Sequence, residues 1–225
     1  MTLAPLRTDG VRMQRFGQGR RRAAARLAVI DGFRIPDEVA ERFRQEHPEV
    51  HPEDLALVEE GLRRWLRLLV GTPVELLDVP SRAVSDLWLA LTLSQEAYAQ
   101  LCDDAFGAFV PHRPPARSST EGVGNAEGLD RTLQLALRDR DDDAIDGVPF
   151  LFAVDRRVAV LNGRRYLGTC GGGVECYPVA GAVCLVHLTA RPRRTSGRRP
   201  GAPGHLPPPG PTADAAVRAT DFQTP

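Results

Sequence analysis

The sequence contains no lysine: its 29 basic residues are all arginine, and asparagine occurs only at Asn125 and Asn162. That pairing reflects a GC-rich genome more readily than selection for guanidinium chemistry. The arginine count by itself therefore points to no anionic partner. The 29 acidic residues cancel the 29 basic ones, so the chain as a whole is no polyelectrolyte. Long apolar runs are also missing. The candidate stretches around residues 66–70 and 148–154 fall far short of the ~18 apolar residues that a membrane-crossing helix needs. No apolar run of signal-peptide length follows the basic N-terminus, so a cytoplasmic protein without a membrane partner is expected. In that compartment the four cysteines are expected as thiols or metal ligands rather than as disulfides.

Several nucleotide and metal motifs are absent or fail on inspection. No dinucleotide fingerprint is present. Gly171-Gly172-Gly173 is followed by no Lys-Ser pair and opens no long helix, which excludes a phosphate loop. Asp139, Asp141 and Asp143 alternate like the start of a calcium loop. Ala144 and Phe150, however, stand where that loop needs glycine and glutamate.

What is present is a hydrophobic content of 42%, enough for a packed core. Residues 1–29 carry seven arginines against one early acid, Asp9, and read as a disordered basic arm: a solvated extension, or a contact for nucleic acid. A single domain is expected over 30–189. Ile35, Val39 and Phe43 lie four apart, which predicts a helix from Pro36 to about His47. Pro52-Glu53-Asp54 suits the start of a second helix, with Leu55, Val58, Leu62, Trp65, Leu66 and Leu69 as its stripe. Ser81 is placed to cap a third helix, striped by Val84, Leu87, Trp88 and Leu91. Ser94 is placed to cap a fourth, with Leu93 and Tyr98 as a hydrophobic staple and Gly107 as its stop. A polar loop from Arg113 precedes a fifth helix beginning near Leu129.

The pattern then changes. Residues 148–154 are a short apolar run. Asn162-Gly163 sits between residues 158–161 and 164–167, the usual signal of a two-residue hairpin. Residues 183–188 predict a further strand. The expected fold class is α+β: an N-terminal bundle of about five helices followed by a small antiparallel sheet. Residues 190–225, rich in Arg, Pro and Gly, are expected to be disordered.

Cys170, Cys176, Cys184 and His187 form the one cluster of zinc-preferring ligand types. The glycines could bring Cys170 and Cys176 together, but no Cys-x-x-Cys pair is present. On a strand over 183–188, Cys184 and His187 would point to opposite faces. Reduced thiols without a cofactor are therefore expected, with zinc as the alternative. Cys102 and His112, ten residues apart, could serve as nucleophile and base only if the fold joins them.

Val84-Ser85-Asp86-Leu87-Trp88, followed by Tyr98, Cys102, Phe106-Gly107, Phe109, His112 and Pro114, resembles the central motif of the glycine-rich domain-containing protein-like family. Cys170-Gly171-Gly172-Gly173 is similar to that family's glycine- and cysteine-rich end. The chain departs from the motif at Leu89, where the family has histidine. The resemblance marks Asp86, Trp88, Tyr98, Cys102 and His112 as motif residues and implies no activity. The functional expectation is a non-enzymatic module that binds a protein or other ligand. A metal- or thiol-dependent enzyme using the Cys and His residues, and weak nucleic-acid binding through the basic ends, are the alternatives.

Overall fold

The computed structural model describes residues 9–113, 126–138, 144–169 and 182–190. Among these residues the architecture is mainly helical. Helix α1 runs over Asp9–Gly32, α2 over Asp37–Glu46, α3 over Leu55–Leu69, α4 over Arg82–Leu93 and α5 over Gln95–Ala105. These are followed by α6 over Ala126–Arg138, α7 over Phe150–Arg157, strand β1 over Arg165–Leu167, strand β2 over Ala182–Cys184 and α8 over Leu185–Ala190. No described helix is long and apolar enough to cross a membrane.

The stripes on α2, α3 and α4 are the buried faces, and they meet in one core centred on α3 and α4. Burying these leucines, valines and tryptophans supplies the main driving force, at about 25 cal/mol per Å² of apolar surface. Trp65 and Trp88 lie at the centre with ring centroids 5.8 Å apart. Gly61 allows the close crossing of α3 with α4 and α7. A Cβ there would stand 2.7 Å from Val84 Cγ2 and 3.0 Å from Val154 Cγ2.

Helix α1 extends well into the segment that reads as a basic arm. Its run Arg20–Leu27, with three consecutive alanines, has high intrinsic helix propensity. Tertiary contacts with α3 and α5 then supply what a weak stripe does not. Ile30 is buried, and Arg67 of α3 pairs with Asp31 at 3.0 Å.

At the other end, the expected antiparallel sheet is corrected. Strands β1 and β2 are parallel, with Arg165 opposite Ala182 and Leu167 opposite Cys184. A two-residue turn cannot join parallel strands, which need a crossover of about a dozen residues; here residues 168–181 intervene. Asn162-Gly163 is instead part of the turn between α7 and β1. The apolar run at 148–154 enters a helix, not a strand. Pro149 precedes its first turn, and Phe150, Leu151, Phe152, Ala153, Val154 and Asp155 are all buried. A helix buried on every side shows no stripe, so periodicity does not distinguish it from a core strand. The strand expected over 183–188 ends at Cys184, where α8 begins.

Candidate functional site

Helix α4 starts on a cap that combines local and distant groups. Ser81 Oγ accepts the Val84 amide at 3.1 Å, as its position predicts. The same hydroxyl donates to Asp155 Oδ1 of α7 at 2.6 Å. Asp155 also accepts the amides of Arg82 at 2.8 Å, Ala83 at 3.0 Å and Arg164 at 2.7 Å. A carboxylate is thus set at the positive end of the α4 dipole with both oxygens fully used. Ser94 differs from expectation: its side chain makes no cap to α5, and its hydroxyl donates to Glu38 at 3.0 Å. Leu93 is 54% exposed, whereas Tyr98 is fully buried.

From this base, α4 and α5 bring most of the motif residues together. Trp88 Nε1 donates to Tyr98 Oη at 2.9 Å, and Tyr98 Oη donates to the Val110 carbonyl at 2.5 Å. Burial pushes the Tyr98 phenol well above its ordinary range, so it remains a neutral donor. Cys102 is buried against the same hydroxyl. His112 packs its ring edge against Trp88, centroids 4.8 Å apart. The segment after α5 is thereby strapped onto α4. It is released from α5 at Gly107, whose φ of 72° is accessible to glycine at no steric cost.

The strap fixes the chemistry of His112. Its Nε2 lies 3.1 Å from the Ser85 carbonyl and 3.2 Å from Ser85 Oγ. A carbonyl only accepts, so Nε2 carries the hydrogen. Ser85 Oγ then faces a donor and not a base, and Ser85 is itself buried within α4. Burial is the main cause of a His112 pKa below the ordinary value, partly opposed by the bond to Ser85 and the charge of Asp86.

Asp86 points the other way, to His47 Nε2 at 3.1 Å and Arg82 Nε at 3.4 Å. Sequence reasoning misses His47, Glu49, Ser85 and Asp155. His47 and Glu49 are two residues apart, but the partners that place these residues in the fold lie 27 to 112 positions away, so no local spacing announces them.

The cysteine-rich group is only partly in view. Cys170 and Cys176 lie outside the described residues, as do Asp139, Asp141 and Asp143. Cys184 is buried on β2, while His187 stands on α8 and not on a strand. The opposite-faces objection to their sharing an ion therefore lapses. Among the described residues no group of three or more His, Cys, Asp and Glu side chains is arranged to hold a metal ion.

Beside the strap lies an open recess of about 330 Å³. The loop after α3 forms one wall, and Phe106, Phe109 and Val110 form the other. Phe109 stacks edge-on against Tyr98 at 5.5 Å yet is 65% exposed. Arg26 of α1 and Glu75 supply the charged groups of the lining. Among the described residues Arg26 has no carboxylate in ion-pair range.

A family model spans residues 25–184, from the middle of α1 through β2. The chain belongs to the UCP032817-like family. This corrects the resemblance to the glycine-rich domain-containing protein-like family, which the match does not indicate. In this chain the motif's indole, phenol and imidazole bind one strap to two helices. The UCP032817-like family is uncharacterised, so membership assigns the chain no reaction. No curated protein and no solved structure matches the chain.

Proposed function

We propose that this chain is a non-enzymatic binding module of the cytoplasm. Its occupant is a protein partner's apolar side chain with a carboxylate beside it, seated in the recess under Phe109. The observation that carries the reading is the pairing of a largely exposed aromatic with a guanidinium that meets no carboxylate among the described residues, on one concave surface. Its volume of about 330 Å³ falls at the lower end of the ~300–1,000 Å³ typical of ligand pockets. That suits one anchoring side chain better than a cofactor. Phe109 is held by Tyr98 and Val110 by the Tyr98 hydroxyl, so this wall is preorganised and binding orders little of it. A non-enzymatic role is supported by His112, whose Nε2 is a donor toward Ser85, and by Cys102, which lies against a neutral phenol. The same reading takes Cys170, Cys176 and Cys184 as reduced thiols. One zinc per purified chain would favour the metal-dependent enzyme instead.

A random-peptide display selection on the full chain tests the reading. Enriched peptides should carry an aromatic or aliphatic residue next to Asp or Glu. Their binding should be lost in Phe109→Asp and Arg26→Glu and kept in Leu89→Asp, which alters an exposed leucine on α4. No enrichment, or binding indifferent to the first two changes, would remove the recess from consideration. Nucleic-acid binding draws on Arg20, Arg21 and Arg22, all exposed on α1. Salt-sensitive binding to random DNA that Arg26→Glu leaves intact would favour it.

A further inference from the structure

His47 is 5% exposed, yet carboxylates engage both its ring nitrogens: Nδ1 meets Glu49 Oε1 at 3.3 Å and Nε2 meets Asp86 Oδ2 at 3.1 Å. An ionised carboxylate only accepts hydrogen bonds, so both contacts are satisfied only when both nitrogens carry hydrogen. The geometry is therefore that of an imidazolium. Once the ring gives up a proton, one nitrogen presents a lone pair to a carboxylate oxygen, and that contact becomes repulsive.

The two carboxylates are not equivalent. Asp86 belongs to α4 and also accepts from Arg82 Nε. Glu49 lies on the loop after α2, at the longer of the two distances, and the same Oε1 accepts the Leu161 amide at 3.0 Å. Arg82 Nη1 in turn donates to the Leu161 carbonyl at 3.4 Å. Both backbone polar groups of Leu161 are thus held by side chains of this cluster. The Leu161 side chain is 64% exposed and adds little core packing to hold it. The turn also carries backbone strain at Ala159, with φ of 50°, beside Asn162, whose φ of 55° asparagine tolerates. An alanine in that conformation persists only where surrounding contacts over-determine it.

We propose that His47, Glu49, Asp86 and Arg82 form a proton-operated latch, which holds the 158–163 turn at Leu161 while the imidazole is charged and frees it when the proton leaves. With His47 charged, the four groups sum to zero; after deprotonation they carry one uncompensated negative charge. The groups facing His47 come from every neighbouring element. Glu49 lies on its own loop, and Asp86 and Arg82 lie on α4. His112 on the strap senses Asp86, and Phe43 stacks on the ring at 4.6 Å without charge. The turn itself contributes only backbone. Asp86 and Glu49 both raise the His47 pKa, against the lowering effect of burial.

The test is amide hydrogen exchange of Leu161 in the full chain, with protection normalised to the intrinsic rate, alongside the His47 ring titration by NMR. Protection at Leu161 should fall about tenfold as His47 loses its proton, the factor that corresponds to one pKa unit of coupling. The interior amide of Leu87 on α4 should stay flat. His47→Gln should abolish the step. Should that variant not fold, Glu49→Gln, on a partly exposed side chain, should shrink the step while keeping an oxygen for the Leu161 amide. Constant Leu161 protection across the titration, a step of equal size in either variant, or a His47 midpoint at or below the ordinary value would overturn the latch.

Discussion

Trp88 and Tyr98 are joined at their polar tips, indole Nε1 to phenol Oη at 2.9 Å, with both rings fully buried. The same phenol holds the Val110 carbonyl. Tyr98→Phe therefore strands a buried donor and a carbonyl at once and should cost about 1–3 kcal/mol by urea unfolding. Trp88→Ala opens a cavity between Trp65 and His112 and should cost about 3–5 kcal/mol. The two changes share one bond, so the double variant should lose less than the sum of the singles. Strict additivity would show that the hydrogen bond contributes nothing.

Asp155→Asn keeps the volume of the side chain but turns an NH2 group toward amide or hydroxyl donors. At least one of the four bonds that Asp155 accepts, two of them from α4 amides, is then lost. Unfolding measurements should show a loss of about 3–5 kcal/mol, as for other buried charge networks broken on one side. A change within the ordinary surface range would mean that the amides of α4 find water instead.

Gly61→Ala sets a helix-propensity gain of about 1 kcal/mol against a methyl that meets two valine side chains. Valine is stiff at χ1, so the neighbours give little. A net loss of about 1–3 kcal/mol is expected. Gly71→Ala is the contrast, since a Cβ there meets nothing within 4 Å. Equal thermal midpoints for the two variants would show that the α3–α4 crossing relaxes freely.

The buried His47 and the half-buried His112 act on stability in opposite senses. His112 has a folded pKa below its unfolded value of 6.5. Its contribution is present above that unfolded value and is lost as pH falls through the folded one. His47 has a folded pKa above 6.5. Its contribution is fully present below 6.5 and is lost as pH rises through the folded value. His112→Asn should therefore flatten the acid side of the stability profile, and His47→Gln the alkaline side. Each is read from denaturant midpoints across the pH range. The reverse assignment would contradict the bonding described for both rings.

The sequence by itself determined the helices that carry a stripe. On α2, α3 and α4 the apolar residues recur at helical spacing because each helix buries one face and solvates the other, and that asymmetry is written in residue order. Ser81 was legible for a related reason, since its first partner, the Val84 amide, is three residues away. Only the tertiary structure decided the rest. The run at 148–154 lacks a solvated face, so only its surroundings select helix over strand. The Asn162-Gly163 turn fits a hairpin locally, yet β1 takes β2 as its partner after a long crossover. Trp88, Tyr98, Cys102 and His112 stand in sequence order, but the bonds of Tyr98 to Val110 and of His112 to Ser85 depend on how the strap folds back. The pair His47 and Glu49 joins Asp86 and Leu161, and Ser81 joins Asp155, from distant segments. Hydrogen bonds and charge pairs act over a few ångströms of space, whatever the separation along the chain, and no spacing rule encodes them.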